Sequence, residues 1–173
     1  MYVPHTMQAI IDPKAVLDIA HVYADVEKRY AIATDGIILV AYPIEPDEGE
    51  VSGYLPKDAI AFAAKQCSKK HKAPAKLHHT ATHTVVNGTS FPNPFTFPYD
   101  RTPNFPDWQS ILPRNDEKID VSAIGVNAML LVKLQNVFGT THVTLHPTEH
   151  YGPLWVNKDN EQGILAVIMP CTL

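Results

Sequence analysis

Apolar residues recur along this chain at two spacings, every third or fourth position and every second, and stretches of the two kinds alternate. Met7-Gln-Ala-Ile-Ile-Asp12 reads as a strand. Asp12 then caps an expected helix over 13–24, with Pro13 in its first turn and Val16, Leu17, Ile19, Ala20 and Tyr23 as an apolar stripe. Two strands follow, 29–33 and 37–42. They are joined at Asp35-Gly36, a tight-hairpin signal because glycine takes a positive φ without a Cβ clash.

The order then repeats. Residues 51–55 read as a strand and 56–66 as a helix that again opens on proline. Strands are expected over 77–84 and 85–91, turning near Asn87-Gly88. From Pro92 to Pro113 the chain carries six prolines. Proline lacks the N–H a ladder needs, so this connector is expected to cross in extended form, its centre at 104–113 apolar enough to pack. A third unit has a strand at 118–122, a helix at 126–138 stopped by Gly139, and strands at 142–146, 154–157 and 164–169. The pattern β-α-β-β thus occurs three times, a repeat of pattern rather than of residue identity. It predicts an α+β fold with helices on one face of antiparallel sheets. The expected organisation is a two-unit domain over 1–104, a connector over 105–117 and a third unit over 118–173.

The run from Gly163 to Leu173 is an apolar strand reaching the chain end. Terminal residues fray unless something holds them, so this one is expected either to seal a core or to line a groove.

Composition narrows the classes. The 173 residues are 45% hydrophobic and 18% charged, ordinary for a globular protein, with a formal charge of −4 that argues against a uniformly basic nucleic-acid binder. A local basic face is still present. Lys57, Lys65, Lys69, Lys70, Lys72 and Lys76 are six of the fourteen lysines and arginines. No apolar run reaches the roughly 18–20 residues of a membrane span. The start has neither the basic nor the apolar region of a signal peptide, and Cys67 and Cys171 form no paired motif; a cytoplasmic protein without membrane association is expected.

His146-Pro-Thr-Glu-His150 fits the H-x-x-E-H order of inverted zincins. That chemistry needs both histidines on one helix face. Pro147 and the flanking Thr144 and Tyr151-Gly-Pro argue for a strand and turn, so a zinc-dependent hydrolase is the least favoured reading. Phosphate-loop, nucleophile-elbow and paired-cysteine zinc motifs are absent from the sequence. No metal, cofactor or catalytic residue is expected.

Three segments, taken together, resemble the bacterial DNA polymerase III beta subunit family, the sliding clamps. Ala33-Thr-Asp-Gly-Ile-Ile-Leu39 is similar to the family's Ala-Thr-Asp-Gly-His-Arg-Leu. Phe105-Pro-Asp-Trp-Gln-Ser-Ile-Leu-Pro113 is similar to its Phe-Pro-Asp-Tyr-Arg-Arg-Val-Leu-Pro, and Val167-Ile-Met-Pro-Cys-Thr-Leu173 to its Val-Val-Met-Pro-Met-Arg-Leu. The resemblance implies a DNA-clamp-like fold of about three half-domain units, corresponding to the family's middle domain and the final half of its last. It implies a peptide-binding pocket for polymerase or other client segments. Thr34, Gly36, Ile37, Ile38 and Leu39 would form the floor, Pro106, Ser110 and Ile111 one wall, and Val167, Met169 and Cys171 the other. Ile37-Ile38, Ser110 and Cys171-Thr172 replace charged or longer family residues, so the pocket is expected to be more apolar and less cationic. The resemblance also implies that Lys57, Lys65, Lys69, Lys70, Lys72, Lys76 and, more weakly, Lys133 face the phosphates of non-specifically bound double-stranded DNA. Family rings set twelve half-domain units around DNA, so four copies of this chain would supply twelve. A ring-forming processivity factor, homotetrameric and of phage or prophage origin, is one expectation. A peptide-binding module or decoy that closes no ring is the other.

Overall fold

The computed structural model describes residues 1–12, 14, 18–66, 75–88, 93–99, 104–114, 119, 123–148, 152–157, 160 and 162–171. The strands are β1 (Val22–Asp25), β2 (Tyr30–Thr34), β3 (Ile38–Pro43), β4 (Gly53–Leu55), β5 (Lys76–His79), β6 (His83–Asn87), β7 (Phe95–Pro98), β8 (Leu145–His146), β9 (Leu154–Val156) and β10 (Leu165–Ile168). Two α-helices are described, α1 (Lys57–Gln66) and α2 (Ala128–Phe138). Local chemistry sets both ends of α2. Asn127 accepts a hydrogen bond from the Met129 amide, and Gly139 closes the last turn at φ 63°.

Seven strands form one antiparallel sheet in the order β4-β1-β2-β3-β10-β9-β8; β5-β6-β7 form a second. The decisive junction is β3 with β10. Leu39 faces Val167 and Ile38 faces Ile168, so the chain's last strand completes the sheet begun by its first unit.

Both faces of this sheet are buried, which explains the near-continuous apolar run of β3. One face carries Val22, Ala24, Ala33, Ile38, Val40, Leu154 and Ile168. It packs against Ile60 and Ala63 of α1, Leu130 and Leu134 of α2, and Met7 of a short 3₁₀ turn at His5–Ala9. The other face carries Ile32, Leu39, Ala41, Trp155 and Val167 and is roofed by Trp108 of the connector.

Several expectations change. The expected strand at 7–12 begins instead in the 3₁₀ turn His5–Ala9. The expected helix over 13–24 runs into β1. Residues 13 and 15–17 lie outside the described residues, and Val22 and Ala24 point inward while Tyr23 faces the other way, a strand's period of two. The β5–β6 turn falls at Thr80–Thr82, with Thr80 donating its amide to the His83 carbonyl, rather than at Asn87-Gly88. The proline-rich connector contains a strand, β7. Among the described residues it pairs with β6 alone and so holds an edge, where Pro98 is tolerated. Of the expected strand at 118–122, only Ile119 is described. Among the described residues no helix is long and apolar enough to cross a membrane.

Candidate peptide-binding groove and basic helix face

The hairpin between β2 and β3 is built by one side chain. Asp35 Oδ1 accepts the amides of Ile37 and Ile38, each at 3.0 Å, and Gly36 takes φ 89°. Thr34 reinforces it, its hydroxyl donating to the Ile38 carbonyl at 2.7 Å. The tip is held from outside as well, because Lys133 of α2 lies 3.1 Å from Asp35 Oδ2. Ile37 is thereby left 51% exposed.

The chain's final segment runs along this hairpin. The Met169 amide donates to the Ile37 carbonyl at 2.8 Å, and the Cys171 amide to the Gly125 carbonyl at 2.7 Å. Met169 is 38% exposed and Cys171 is exposed. Thr34, Leu39, Val167, Trp155 and His146 face one another pairwise across five strands, so they form a transverse row on one side of the sheet.

The connector lies over that side. Asp107 accepts the Gln109 amide and starts a 3₁₀ turn at Trp108–Ile111. Trp108 drops into the sheet with Leu39 and Val167, Leu112 packs beside it, and Phe105 stacks on Tyr23 at 4.7 Å. Pro106, Ser110 and Ile111, the last 40% exposed, remain on the surface.

Hairpin and tail therefore meet, although some 130 residues separate Ile37 from Met169 in sequence, and the connector joins them through Trp108, which packs with Leu39 and Val167. The residues do not all have the same part. Gly36, Ile37, Pro106, Ser110, Ile111, Met169 and Cys171 are each exposed. Leu39 and Val167 are buried beneath Trp108, a floor rather than a lining. Ile38 must be corrected. Its strand parity turns it to the opposite face, where it is 1% exposed in the main core with Ile168. Ile19, which the resemblance did not single out, is close to the tip; its Cδ1 lies 3.9 Å from where a Cβ on Gly36 would stand. Only the fold brings it there.

The basic residues divide. Lys57 and Lys65 on α1 and Lys76 on β5 are exposed. Lys69, Lys70 and Lys72 lie outside the described residues. Lys133 is not a free cation, since it is paired with Asp35 and donates to the Ile10 carbonyl at 3.4 Å.

Two other clusters carry polar chemistry. Asp47, Glu50 and His78 bring possible ligand atoms within 4.8 Å of one another. A positive charge already sits there, because the Met1 ammonium lies 3.3 Å from Glu50 and 3.4 Å from Asp47 and donates to the Leu77 carbonyl at 2.7 Å. That ammonium holds the Asp47 carboxyl below its ordinary pKa. A depression of about 520 Å³ at the β8 edge is lined by His142, Thr144, His146, Asn157, Asn160 and Gln162 among others. Phe138 and Thr140 complete its lining, which shares no residue with the exposed part of the hairpin and tail. His146 stands in strand β8, while Glu149 and His150 lie outside the described residues.

No protein-family model matches the chain, and no curated protein matches it. Solved structures do. A Helicobacter pylori beta clamp bound to a DNA ligase peptide aligns over 96% of this chain and 61% of that one, with TM-score 0.69 and 19% identity. A C. crescentus beta sliding clamp aligns over 99% and 65%, with TM-score 0.74 and 14% identity. The DNA polymerase III subunit beta from Pseudomonas aeruginosa aligns over 98% and 64%, with TM-score 0.70 and 14% identity. The chain has the fold of the bacterial sliding clamps and spans about 61–65% of the length of these three clamps.

Proposed function

We propose that this protein is a sliding-clamp-like factor that associates with double-stranded DNA without sequence preference and tethers replication proteins through the groove between hairpin, connector and tail. The role is one of binding rather than catalysis. One observation carries the reading, the pairing of β10 with β3, which lays Met169 against Ile37 next to the Leu39 and Val167 that pack with Trp108 of the connector. Exposed aliphatic residues around a fixed floor suit a short linear peptide with leucine or phenylalanine side chains, and Met169 adds an adaptable one. On this reading residues 1–104 act as one clamp-like domain, 105–117 as its connector and 118–173 as the unit that closes the groove. The Helicobacter pylori clamp bound to a DNA ligase peptide supports a client of this kind.

Lys57, Lys65 and Lys76 are proposed to face the phosphates, together with Lys69, Lys70 and Lys72. A ring of copies would place them around the duplex. A second reading is a peptide-binding module that closes no ring; it needs the groove and none of these lysines.

Titration with that DNA ligase peptide tests the shared core of both readings. Saturable binding that Met169→Glu abolishes is expected. Binding unaffected by this change, or no binding at millimolar peptide, would sink the groove assignment.

A further inference from the structure

The depression at the β8 edge has a chemical sense, set by how its lining side chains are bonded. No carboxylate is among the described residues that line it. Three of the lining side chains already give an oxygen acceptor to a backbone amide. Asn157 Oδ1 accepts the Thr144 amide at 2.7 Å, Asn160 Oδ1 the Ile164 amide at 3.0 Å, and Thr140 Oγ1 the His142 amide at 3.2 Å. Asn160 is wholly structural, since its Nδ2 donates to the carbonyls of Asn157 at 2.8 Å and Ile164 at 2.7 Å. What the lining leaves available is chiefly donors: Nδ2 of Asn157, the hydroxyls of Thr140 and Thr144, and the imidazoles of His142 and His146. His142, Thr144 and His146 alternate along one strand, so they share one side of it. Trp155 faces His146 across β8 and β9. It is 8% exposed, and its Nε1 is buried without an acceptor among the described residues.

We infer that this depression is a binding site for a small phosphate monoester. A phosphate presents acceptor oxygens to a donor set and carries the charge that strengthens each bond. A volume of about 520 Å³ is within the roughly 300–1,000 Å³ of small-ligand sites. Inorganic phosphate would fill little of it, so the organic part lies against Phe138. The C-terminal end of α2 is close by, and its partial negative charge opposes an anion. The Gly139 and Thr140 amides both donate to the Gln135 carbonyl there, which blunts that charge.

Calorimetric titration with adenosine 5′-monophosphate and with adenosine tests the site. The monophosphate is expected to bind at submillimolar concentration, at least tenfold more tightly than the nucleoside. His146→Leu and Thr144→Val should each weaken it at least fivefold and melt within a few degrees of the parent. Lys57→Gln with Lys65→Gln should leave it unchanged. In the parent, the Thr144 amide and Trp155 indole signals should shift in nitrogen-15 NMR as the monophosphate saturates, a readout that needs no variant to fold. Adenosine binding as tightly as the monophosphate would overturn the inference. So would binding that follows the two lysines and not His146, saturation that moves neither signal, or no binding at millimolar concentration. A thymidine tetranucleotide without terminal phosphate that bound more tightly than the monophosphate, with the same dependence on His146, would overturn the monoester in favour of a nucleic-acid backbone.

Discussion

The indole Nε1 of Trp108 donates to Asp25 Oδ2 at 3.0 Å, across 83 positions of sequence. This buried bond fastens the connector to the sheet. The other carboxylate oxygen accepts the Lys28 amide at 3.1 Å, and Tyr30 packs edge-on to the Trp108 ring at 5.5 Å. Beyond β7 the proline-rich connector is thus held by this bond, by the Asn104 amide donating to the Tyr54 hydroxyl at 3.2 Å, and by a set of aromatic contacts. Its exposed residues, Pro106 and Ile111, inherit their position from that anchor.

Trp108→Phe should expose the consequence. The ring contacts with Leu39 and Val167 are largely kept, and the donor to Asp25 is lost. A hydrogen bond to a charged group contributes about 1.5–3 kcal/mol, so a stability loss of that order is expected from the urea midpoint. Peptide affinity should fall further than stability predicts, because the wall loosens. A full-affinity variant would show that the connector does not shape the groove.

Val167 within β10 and Met169 just past its end offer a matched pair. Val167 is 2% exposed under Trp108, whereas Met169 is 38% exposed. Val167→Glu buries an unpaired carboxylate and is expected to cost several kcal/mol or prevent folding. Met169→Glu can reach water. It should melt within a few degrees of the parent and still lose peptide binding. If Met169→Glu unfolds the protein, Met169 is core and not groove.

Much of this arrangement was legible in the sequence. Asp35-Gly36 and the helix over 126–138 were legible because their signals are local: a carboxylate poised over a glycine turn, and an apolar stripe closed by Gly139. The segment around 16–23 misled because Val16, Leu17, Ile19, Ala20 and Tyr23 have helical spacing, yet Val22 and Ala24 bury one face of a strand. Short apolar runs do not settle the period, and pairing with β2 and β4 decided it. Strand β7 was hidden by the prolines around Phe95 and Phe97. Adjacent residues Ile37, Ile38 and Leu39 looked alike as pocket floor. Only the register of β3 against β10 shows that Ile38 faces the other core.

His79 should make stability fall on mild acidification. Burial lowers its imidazole pKa from 6.5 to about 4, and its Nδ1 is 2.7 Å from Thr84 Oγ1. Between those values the unfolded chain binds a proton that the folded chain does not. The contribution is complete above pH 6.5 and is lost progressively as pH falls through about 4. One such group gives a slope of at most about 1.4 kcal/mol per pH unit. Thermal melts of the parent and His79→Gln from pH 7 to 4.5 should diverge, the parent losing more. Parallel curves would place the acid response elsewhere. Asp47 acts in a different window, below the ordinary carboxylate pKa of 3.8, because the Met1 ammonium favours its charged form.

Assembly is the prediction with most at stake. β7 and β8 each pair on one side only among the described residues, and an open edge is a template for another strand. Phe95, exposed on β7, packs on Phe62 of α1 at 4.5 Å, so that edge also presents an aromatic surface. Head-to-tail contacts between unlike edges either close into a ring or run on as a filament. If the chain carries the three half-domain units proposed, four copies would supply the twelve expected of a ring. An odd number of units opposes this, since the edge left by a half-domain need not match its partner. Light scattering should resolve the matter, with a mass near four chains expected for the ring and one chain for the module. A loaded ring should also bind DNA with an affinity that drops steeply with salt, by an amount set by the phosphates it neutralises. Lys57→Glu with Lys65→Glu should then flatten that salt slope while leaving peptide binding intact. A monomer at micromolar concentration whose DNA association ignores both salt and these lysines would exclude the ring and leave the peptide-binding module.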